Sequence, residues 1–548
     1  MAETPKENVI LPEKYYLDYF LDLIAFVKKH SSHLLDPEDD LFLAEFFQLS
    51  ENAQCLYIRF ANRKGLFFRT DKLHYNEIKI DEALEELEKT AFIKSVEDPT
   101  PELLPLFTKQ ELLIAYAALN LSKTLKKEDL YQVLLAHDDF DPLLEQKNLI
   151  QIEKKEAIEY LKMLFFGHYH AQMTEFVIRD VGHVKLEDLS NHEFKPWFGS
   201  LEEAKSTFDI SQINSETKKL LKLYPASILH DTIQNLDFDT ISNYPASLKV
   251  LDKLAHRLAY QLEREKESEL ALFYYEKAVT HPARERRVRI LDQLKRTQEA
   301  EQLAQKILAN PINASESIFA TDFLNRPKIK ILRSTSRKIK ETGKTIEVVP
   351  NPSQTVESIA IEYFETQGYQ GIHGENYLWN NLFGLTFWEE LMDSQYDSFH
   401  HPLQRTTSDL NKADFFDRRK GQLNQRLSNL KSRKKWMSHI EKLINDKTGI
   451  SSSFVYWHPQ IAEHMSIMLS YLPLSGTKEL LLEMAKNLKA NRRGFPDLLI
   501  WKDASYHFYE VKSPNDQLSA QQLFWIDFMQ TKKIKVDVLK LSYLPSDQ

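Results

Sequence analysis

The chain has 548 residues, 42% of them hydrophobic, and a formal net charge of −9. That length is too great for one core and implies two to four domains. The acidic balance alone argues against a protein that coats nucleic acid, and the one cysteine, Cys55, excludes an internal disulfide or a cysteine zinc site.

No apolar run reaches membrane-spanning length, and Met1-Ala-Glu-Thr-Pro-Lys-Glu7 does not read as a signal peptide. An intracellular, cytoplasmic protein with no membrane partner is expected. Glycine is scarce, with 13 residues, while Leu, Glu, Lys and Ala are plentiful, which favours helices. The charge is unevenly spread. Residues 1–50 carry ten acids and four Lys/Arg, and residues 401–450 carry twelve Lys/Arg and five acids. A basic segment in an acidic chain is an electrostatic footprint for phosphates, although solvated helix faces explain part of it.

In chain order, residues 13–30 have a helical apolar period. Asp36-Pro-Glu-Asp-Asp40 reads as a turn or helix start, followed by a helix over Leu41 to Phe47. Residues 54–69 interleave Tyr57, Phe60, Phe67 and Phe68 with Arg59, Arg63, Lys64 and Arg69. This composition suits phosphate contact with base stacking. A helix–turn–strand with solvated basic side chains suits it equally. Residues 100–136 predict two short helices, the first capped by Thr108 with Glu111 three residues on. Lys123, Lys126 and Lys127 lie between them, an arrangement similar to the small DNA-gripping SAP module. Ala271, Ala278 and Pro282 recur 29 residues later as Ala300, Ile307 and Pro311. That interval and the pattern Ser268 to Ala278 predict tetratricopeptide-like hairpins over residues 210–312. Arg284, Arg286, Arg287 and Arg289 lie among them, either as a solvated helix face or as a phosphate pocket. Residues 325–352 read as a basic, β-leaning linker, and a helix is expected from Thr355 to Gln367.

The most informative stretch is Gly494-Phe-Pro-Asp497-Leu-Leu-Ile-Trp501, followed by Phe508-Tyr-Glu510-Val-Lys512. Both parts are apolar and strand-like. A strand points alternate side chains to opposite faces, so Glu510 and Lys512 share one face. Two carboxylates and an ammonium around one cleft are what metal-dependent phosphodiester hydrolysis needs, because hard divalent cations take oxygen ligands. Lys512 would orient water or neutralise the phosphate in the transition state. The same Glu-x-Lys is also an ordinary charge pair on a solvated strand face. A helix over Ser519 to Phe528 and a strand over Ile534 to Leu541 complete the strand–strand–helix–strand order of a PD-(D/E)xK nuclease.

Several blocks together resemble the Fanconi-associated nuclease family, whose catalytic unit is a VRR-type nuclease domain. The blocks are Lys14-Tyr15-Tyr16-Leu17, Phe46-Phe-Gln-Leu-Ser50, Leu56-Tyr-Ile-Arg59, Asp71-Lys-Leu-His-Tyr75, Gly371-Ile-His-Gly-Glu375, Leu382-Phe-Gly-Leu-Thr-Phe-Trp388, Phe415-Phe-Asp-Arg418-Arg419, Arg493-Gly-Phe-Pro-Asp497 and Glu510-Val-Lys-Ser-Pro-Asn-Asp-Gln-Leu-Ser519. The resemblance runs through nearly the whole chain.

The resemblance implies a mostly helical multidomain protein with a C-terminal α/β nuclease domain, a mixed sheet flanked by helices. The expected divisions are a helical DNA-binding region (1–99), a SAP-like module (100–140), a helical scaffold (141–324), and a linker with the nuclease domain (325–548). It implies a Mg²⁺- or Mn²⁺-dependent enzyme with one or two ions, cutting 5′ flaps and branched duplex DNA, trimming from the 5′ end, and acting in interstrand crosslink repair. By position Glu375, Asp497, Glu510 and the Val511 carbonyl would hold metal, with Lys512 catalytic. Tyr15, Tyr16, Arg59, Arg63, Lys64, Arg69, Lys123, Lys126, Lys127, Arg418, Arg419, Arg493 and Gln522 would meet DNA. Eukaryotic members carry an N-terminal extension with a ubiquitin-binding zinc finger. This chain starts almost at the DNA-binding part, so a bacterial, nucleoid-associated form is expected. Ser513 stands where Gly is common and Gln517 where some members have Arg. The alternative is a catalytically silent scaffold for DNA junctions. A third possibility is a restriction-type nuclease with sequence preference, for which flap geometry would be irrelevant.

Overall fold

The computed structural model of the protein describes residues 11–145, 148–182, 184–326, 333–396 and 398–544. The described residues up to 182, with 194–212, cluster as one compact unit, and 184–193 with 213–544 form a second.

In the first unit, the helix Tyr15–His30 buries Phe20, Leu23, Ile24 and Val27 along one stripe, as its apolar period requires. Asp36 caps the helix Pro37–Gln48, closing a reciprocal box with Asp39. Residues 54–69 form the end of the helix Glu51–Ala61, an exposed turn and the strand β1 (Phe67–Arg69). With β2 (Ile93–Ser95) and β3 (Leu149–Ile152) it makes an antiparallel sheet in the order β1-β3-β2. The helices Lys109–Ala115 and Lys127–His137 form as expected, and the Thr108–Glu111 box is present. They close over a local core of Leu103, Phe107, Leu112, Leu130 and Leu134.

In the second unit, the helices Pro245–Arg264, Ser268–Lys277, Ala283–Gln293, Thr297–Ala309 and Ala314–Asn325 pack one after another. Ala271, Ala300 and Ile307 are fully buried at the helix contacts, which is the physical content of the 29-residue echo. The expected β-leaning linker is borne out over Gly343–Val348, a strand, and departs before it. Of its β-leaning stretch Lys328 to Arg333, all but the last residue lies outside the described residues. Residues Ser334–Thr342 are a helix. Tertiary contacts override local propensity there, because Asp322 accepts from the Ser334 N–H and hydroxyl while Lys338 pairs with Asp527 at 2.7 Å.

A five-stranded mixed sheet follows, made of β4 (Gly343–Val348), β5 (Gln370–His373), β6 (Leu498–Lys502), β7 (Ser505–Lys512) and β8 (Val536–Tyr543), in the order β4-β8-β7-β6-β5. The β4–β8 and β7–β8 pairs are parallel, and β5–β6 and β6–β7 antiparallel. One face buries Val511, Tyr509, Leu498 and Ile500 against the helix Val356–Glu365. The other carries Phe508, Leu499 and Val538 into a large helical core containing Trp379, Trp436 and Trp525. Every named element between β5 and β6 among the described residues is a helix, and these helices with their connections supply most of that core.

Candidate active site

Strand β7 alternates between the two cores. Tyr506 and Phe508 enter the helical core, and the next two residues on the same face are Glu510 and Lys512. The face therefore changes from hydrophobic packing to charge within one strand. Glu510 is 1% exposed and Lys512 8%. Lys512 Nζ lies 2.8 Å from Glu510 Oε1.

Asp497 precedes β6 and sits beside this pair. Its carboxylate accepts the Val511 N–H at 2.7 Å, which joins the two strands across the site. The loop before it is clamped. Phe495 stacks between Trp379 and Trp525, with centroids 5.5 and 4.4 Å away. The Trp525 indole donates to the Arg493 carbonyl, and Asn380 to that of Arg492. Gly494 has φ +81°, and a β-carbon there would lie 3.0 Å from the Gln521 backbone, so only glycine fits.

Glu375 arrives from the other side. The Asp497 carbonyl accepts both the Gly374 and Glu375 N–H groups, at 2.8 and 3.0 Å. Glu375 is exposed at the start of the helix Glu375–Thr386, with φ +37°. Such a backbone costs a residue with a β-carbon about 1–2 kcal/mol.

On the far side, the helix Ala520–Thr531 begins with a box in which the Ser519 N–H donates to Gln522 Oε1 and the Gln522 N–H to Ser519 Oγ. The same Gln522 amide donates to Glu510 Oε1 at 2.5 Å and accepts from Lys512 at 3.3 Å. One side chain thus caps a helix and fixes both charged groups.

Burial pushes Asp497 up to about 6, against the pull of the Val511 N–H and Lys512, and the carboxylates of Glu357 and Glu375 act in the same direction as burial. Burial, and then the Asp497 carboxylate, push Glu510 up to about 8 despite Lys512. Glu510 Oε2 is buried without a hydrogen-bond donor. Two adjacent acceptors satisfy each other only through a shared proton or a cation. Among the described residues no group of three or more His, Cys, Asp or Glu side chains converges tightly enough to hold a metal unaided. The donors present still suit a hard divalent cation: two carboxylates, one with an unused buried oxygen, at a site whose negative potential Glu357 and Glu375 augment. Glu357, in the first turn of its helix, was not singled out in the sequence. An acidic residue there reads as an ordinary helix-dipole partner.

Two family models match the chain, "FAN1, HTH domain" at residues 14–94 and "VRR-NUC domain" at residues 432–542. A Fanconi-associated nuclease 1 homolog of Pseudomonas aeruginosa is 28% identical over 98% of this chain and 97% of its own length. The chain also superposes on a crystal structure of paFAN1 bound to a 2-nucleotide 5′ flap DNA with a gap, with TM-score 0.87 and 25% identity over 98% of this chain and 100% of that one. The chain belongs to the Fanconi-associated nuclease family. The Danio rerio Fanconi-associated nuclease 1 is 35% identical over 196 residues, 34% of this chain and 19% of its own length.

For a nuclease of this family, the side chains expected on DNA fall into two groups. Arg63, Lys64, Lys123, Lys126 and Arg493 are exposed, and Tyr15 and Lys127 are half-buried. Others are ion-paired or hydrogen-bonded within the protein. Tyr16 is 5% exposed, hydrogen-bonded to Glu77 and covered by Arg59, which itself pairs with Glu77 at 2.6 Å. Arg69 is buried between Asp71 and Glu111. Arg419 is 0% exposed and paired with Asp409, while Arg418 is tied to the Tyr396 carbonyl. The expected phosphate pocket on the helix Ala283–Gln293 is not assembled. Successive helical arginines point in different directions, and each meets a carboxylate: Arg284 with Glu316, Arg286 with Glu263, Arg287 with Glu276 and Arg289 with Glu285. Instead, Lys249, Lys253 and Lys489 line a cavity of about 730 Å³ with His256 and Arg257. Desolvation, then Lys253, Lys489 and Lys412, pull the Lys249 ammonium below its ordinary value. No local signal marks this cluster, because Lys489 is distant from the others in the chain. No helix among the described residues is long and apolar enough to cross a membrane.

Proposed function

We propose that this nuclease cuts 5′ flaps endonucleolytically and trims DNA from the 5′ end, with Mg²⁺ or Mn²⁺, in interstrand crosslink repair. The observation that carries the reading is the buried group Asp497, Glu510, Lys512 and Gln522, in which one carboxylate oxygen lacks a donor. Asp497, Glu510, Glu375 and the Val511 carbonyl would hold the ion. When bound, it would lower the pKa of a water and neutralise charge on the scissile phosphate. Lys512 would hold the attacking water or a phosphoryl oxygen. Gln522 would keep Lys512 and Glu510 at fixed spacing, and Glu357 would add negative potential on the side opposite Lys512. Arg63, Lys64, Lys123, Lys126, Lys127 and Arg493 would grip the duplex, with the 100–140 module acting in the manner of a SAP unit. The lysine cavity would receive the terminal phosphate of the flap.

The family relationship supports the nuclease class, and the flap bound to paFAN1 supports the substrate. The test is cleavage of a labelled 5′ flap, a 3′ flap and plain duplex in Mg²⁺, Mn²⁺ or EDTA, by wild type and Asp497→Ala. The expected result is metal-dependent cutting of the 5′ flap by wild type only. Wild-type turnover by Asp497→Ala would sink the site assignment, and equal rates on flap and duplex would sink the structural selectivity.

A further inference from the structure

We propose that Tyr456 is a stacking platform for an unpaired nucleobase beside the scissile phosphate, an inference that rests on the nuclease reading above. Tyr456 is 68% exposed, among the most exposed large hydrophobic side chains of the described residues. Isolated exposed aromatics are ordinary on protein surfaces. This one differs in how firmly its backbone is held. Its N–H donates at 2.9 Å to Asn381 Oδ1, and Asn381 is 0% exposed. The Asn381 amide donates in turn to the Tyr377 carbonyl. Ser452 Oγ accepts the N–H groups of Phe454 and Val455, and the Tyr456 carbonyl accepts the N–H of His458. Phe454 and Val455 are buried against Gly384, where a β-carbon would lie 2.7 Å from Val455. The segment is pinned at every residue from 454 to 456, and only the ring is left in solvent.

Its position gives the pinning a purpose. The helix Glu375–Thr386 directs Asn376 and Asn380 toward the clamped loop before Asp497. Tyr377 and Asn381 lie on another flank of that helix, and they carry Tyr456. Tyr377 is in the first turn, two residues after Glu375, and its ring centroid is 6.1 Å from that of Tyr456. The Tyr456 ring is therefore no more than about 15 Å from the Glu375 Cα, given ordinary helix and side-chain dimensions. Tyr377 is itself held, its hydroxyl hydrogen-bonded at 3.1 Å to His464, which stacks with His458. A nucleobase is the ligand that suits an exposed aromatic face within about 15 Å of a phosphodiesterase site, since every base has a π-face and stacking tolerates any sequence. A pinned ring binds it without first losing backbone freedom.

The experiment uses full-length Asp497→Ala protein, so that substrate stays intact, with 2-aminopurine placed at successive positions around the flap junction. Each probe is titrated with Asp497→Ala alone, with Tyr456→Ala added, and with Tyr456→Phe added. The expected result is fluorescence quenching at one or two adjacent positions, kept by Tyr456→Phe and lost by Tyr456→Ala, with flap affinity about tenfold weaker in the alanine variant. In cleavage-competent protein, the alanine variant should raise KM and blur the cut position, and Tyr456→Phe should restore both. Intact flap binding with identical quenching in Tyr456→Ala and Tyr456→Phe would overturn the stacking inference alone. Failure of every protein to bind the flap would remove the flap-substrate reading, and this inference with it.

Discussion

Asp497 and Glu510 hold carboxylates where water cannot easily stabilise them. Folded Glu510 keeps its proton up to about pH 8, whereas an unfolded Glu loses it near the ordinary carboxylate value. Between those limits the folded chain binds more protons than the unfolded one, so the metal-free protein loses stability as pH rises through this window. In EDTA at pH 8, Glu510→Gln should therefore melt a few degrees above wild type, and the difference should vanish near pH 4. Added Mg²⁺ should raise the Tm of wild type and leave the variant unmoved. Thermal melts across pH with and without the ion check both statements, and a variant that melts below wild type at pH 8 would refute them. A second prediction separates structural from DNA-facing arginines. Arg419→Ala strands Asp409, which is 1% exposed, and should cost about 3–5 kcal/mol by denaturant unfolding. Arg63→Ala with Lys64→Ala should keep its stability and weaken flap binding, with a shallower salt dependence. The contrast marks what one sequence can and cannot reveal. Glu510 and Lys512 stand out because strand alternation places them on one face without knowledge of distant residues, and Asp497 because it sits at the head of the apolar run just before them. Arg59, Arg69 and Arg419 look identical to phosphate-binding arginines until Glu77, Glu111 and Asp409 are brought beside them.

At the scale of elements, the proposed site draws on the helix Ala520–Thr531 through its first turn. Gln522 closes the capping box and also bridges Glu510 to Lys512. Gln522→Leu should lower kcat about 10- to 100-fold, the usual cost of removing a group that orients metal ligands, while flap Kd stays within about twofold. Ser519→Ala keeps the Gln522 amide and should cost only the cap, about 1 kcal/mol. Equal losses of kcat in the two variants would show that the bridge is irrelevant. β6, β7, β8 and this helix were legible because apolar alternation and the Ser-x-x-Gln cap are local signals. β5, four residues with two partly exposed positions and a glycine, carries no such pattern and is a strand only because β6 offers an edge. The helix Ser334–Thr342 was hidden for the same reason, since Asp322 and Asp527 supply its anchors from outside its own sequence.

For the whole molecule, a net charge of −9 coexists with local basic surfaces, so affinity for DNA must come from placement rather than from total charge. The lysine cavity is the clearest case. Lys249→Ala with Lys489→Ala should abolish any preference for a phosphorylated over an unphosphorylated 5′ flap, while Arg286→Ala should keep it; competitive cleavage of the two flaps measures this. The sheet is itself an assembly of distant parts, with β4 and β5 in the middle of the chain and β6 to β8 near its end. The matched nuclease model begins at residue 432, so Glu375 lies outside it. That residue is also held in a left-handed backbone, which a glycine would adopt without strain. Its side chain is exposed, so nothing in the core would miss it. Random substitution should therefore erode this position first in any lineage that stopped cutting DNA, well before the packed Asp497 or Glu510.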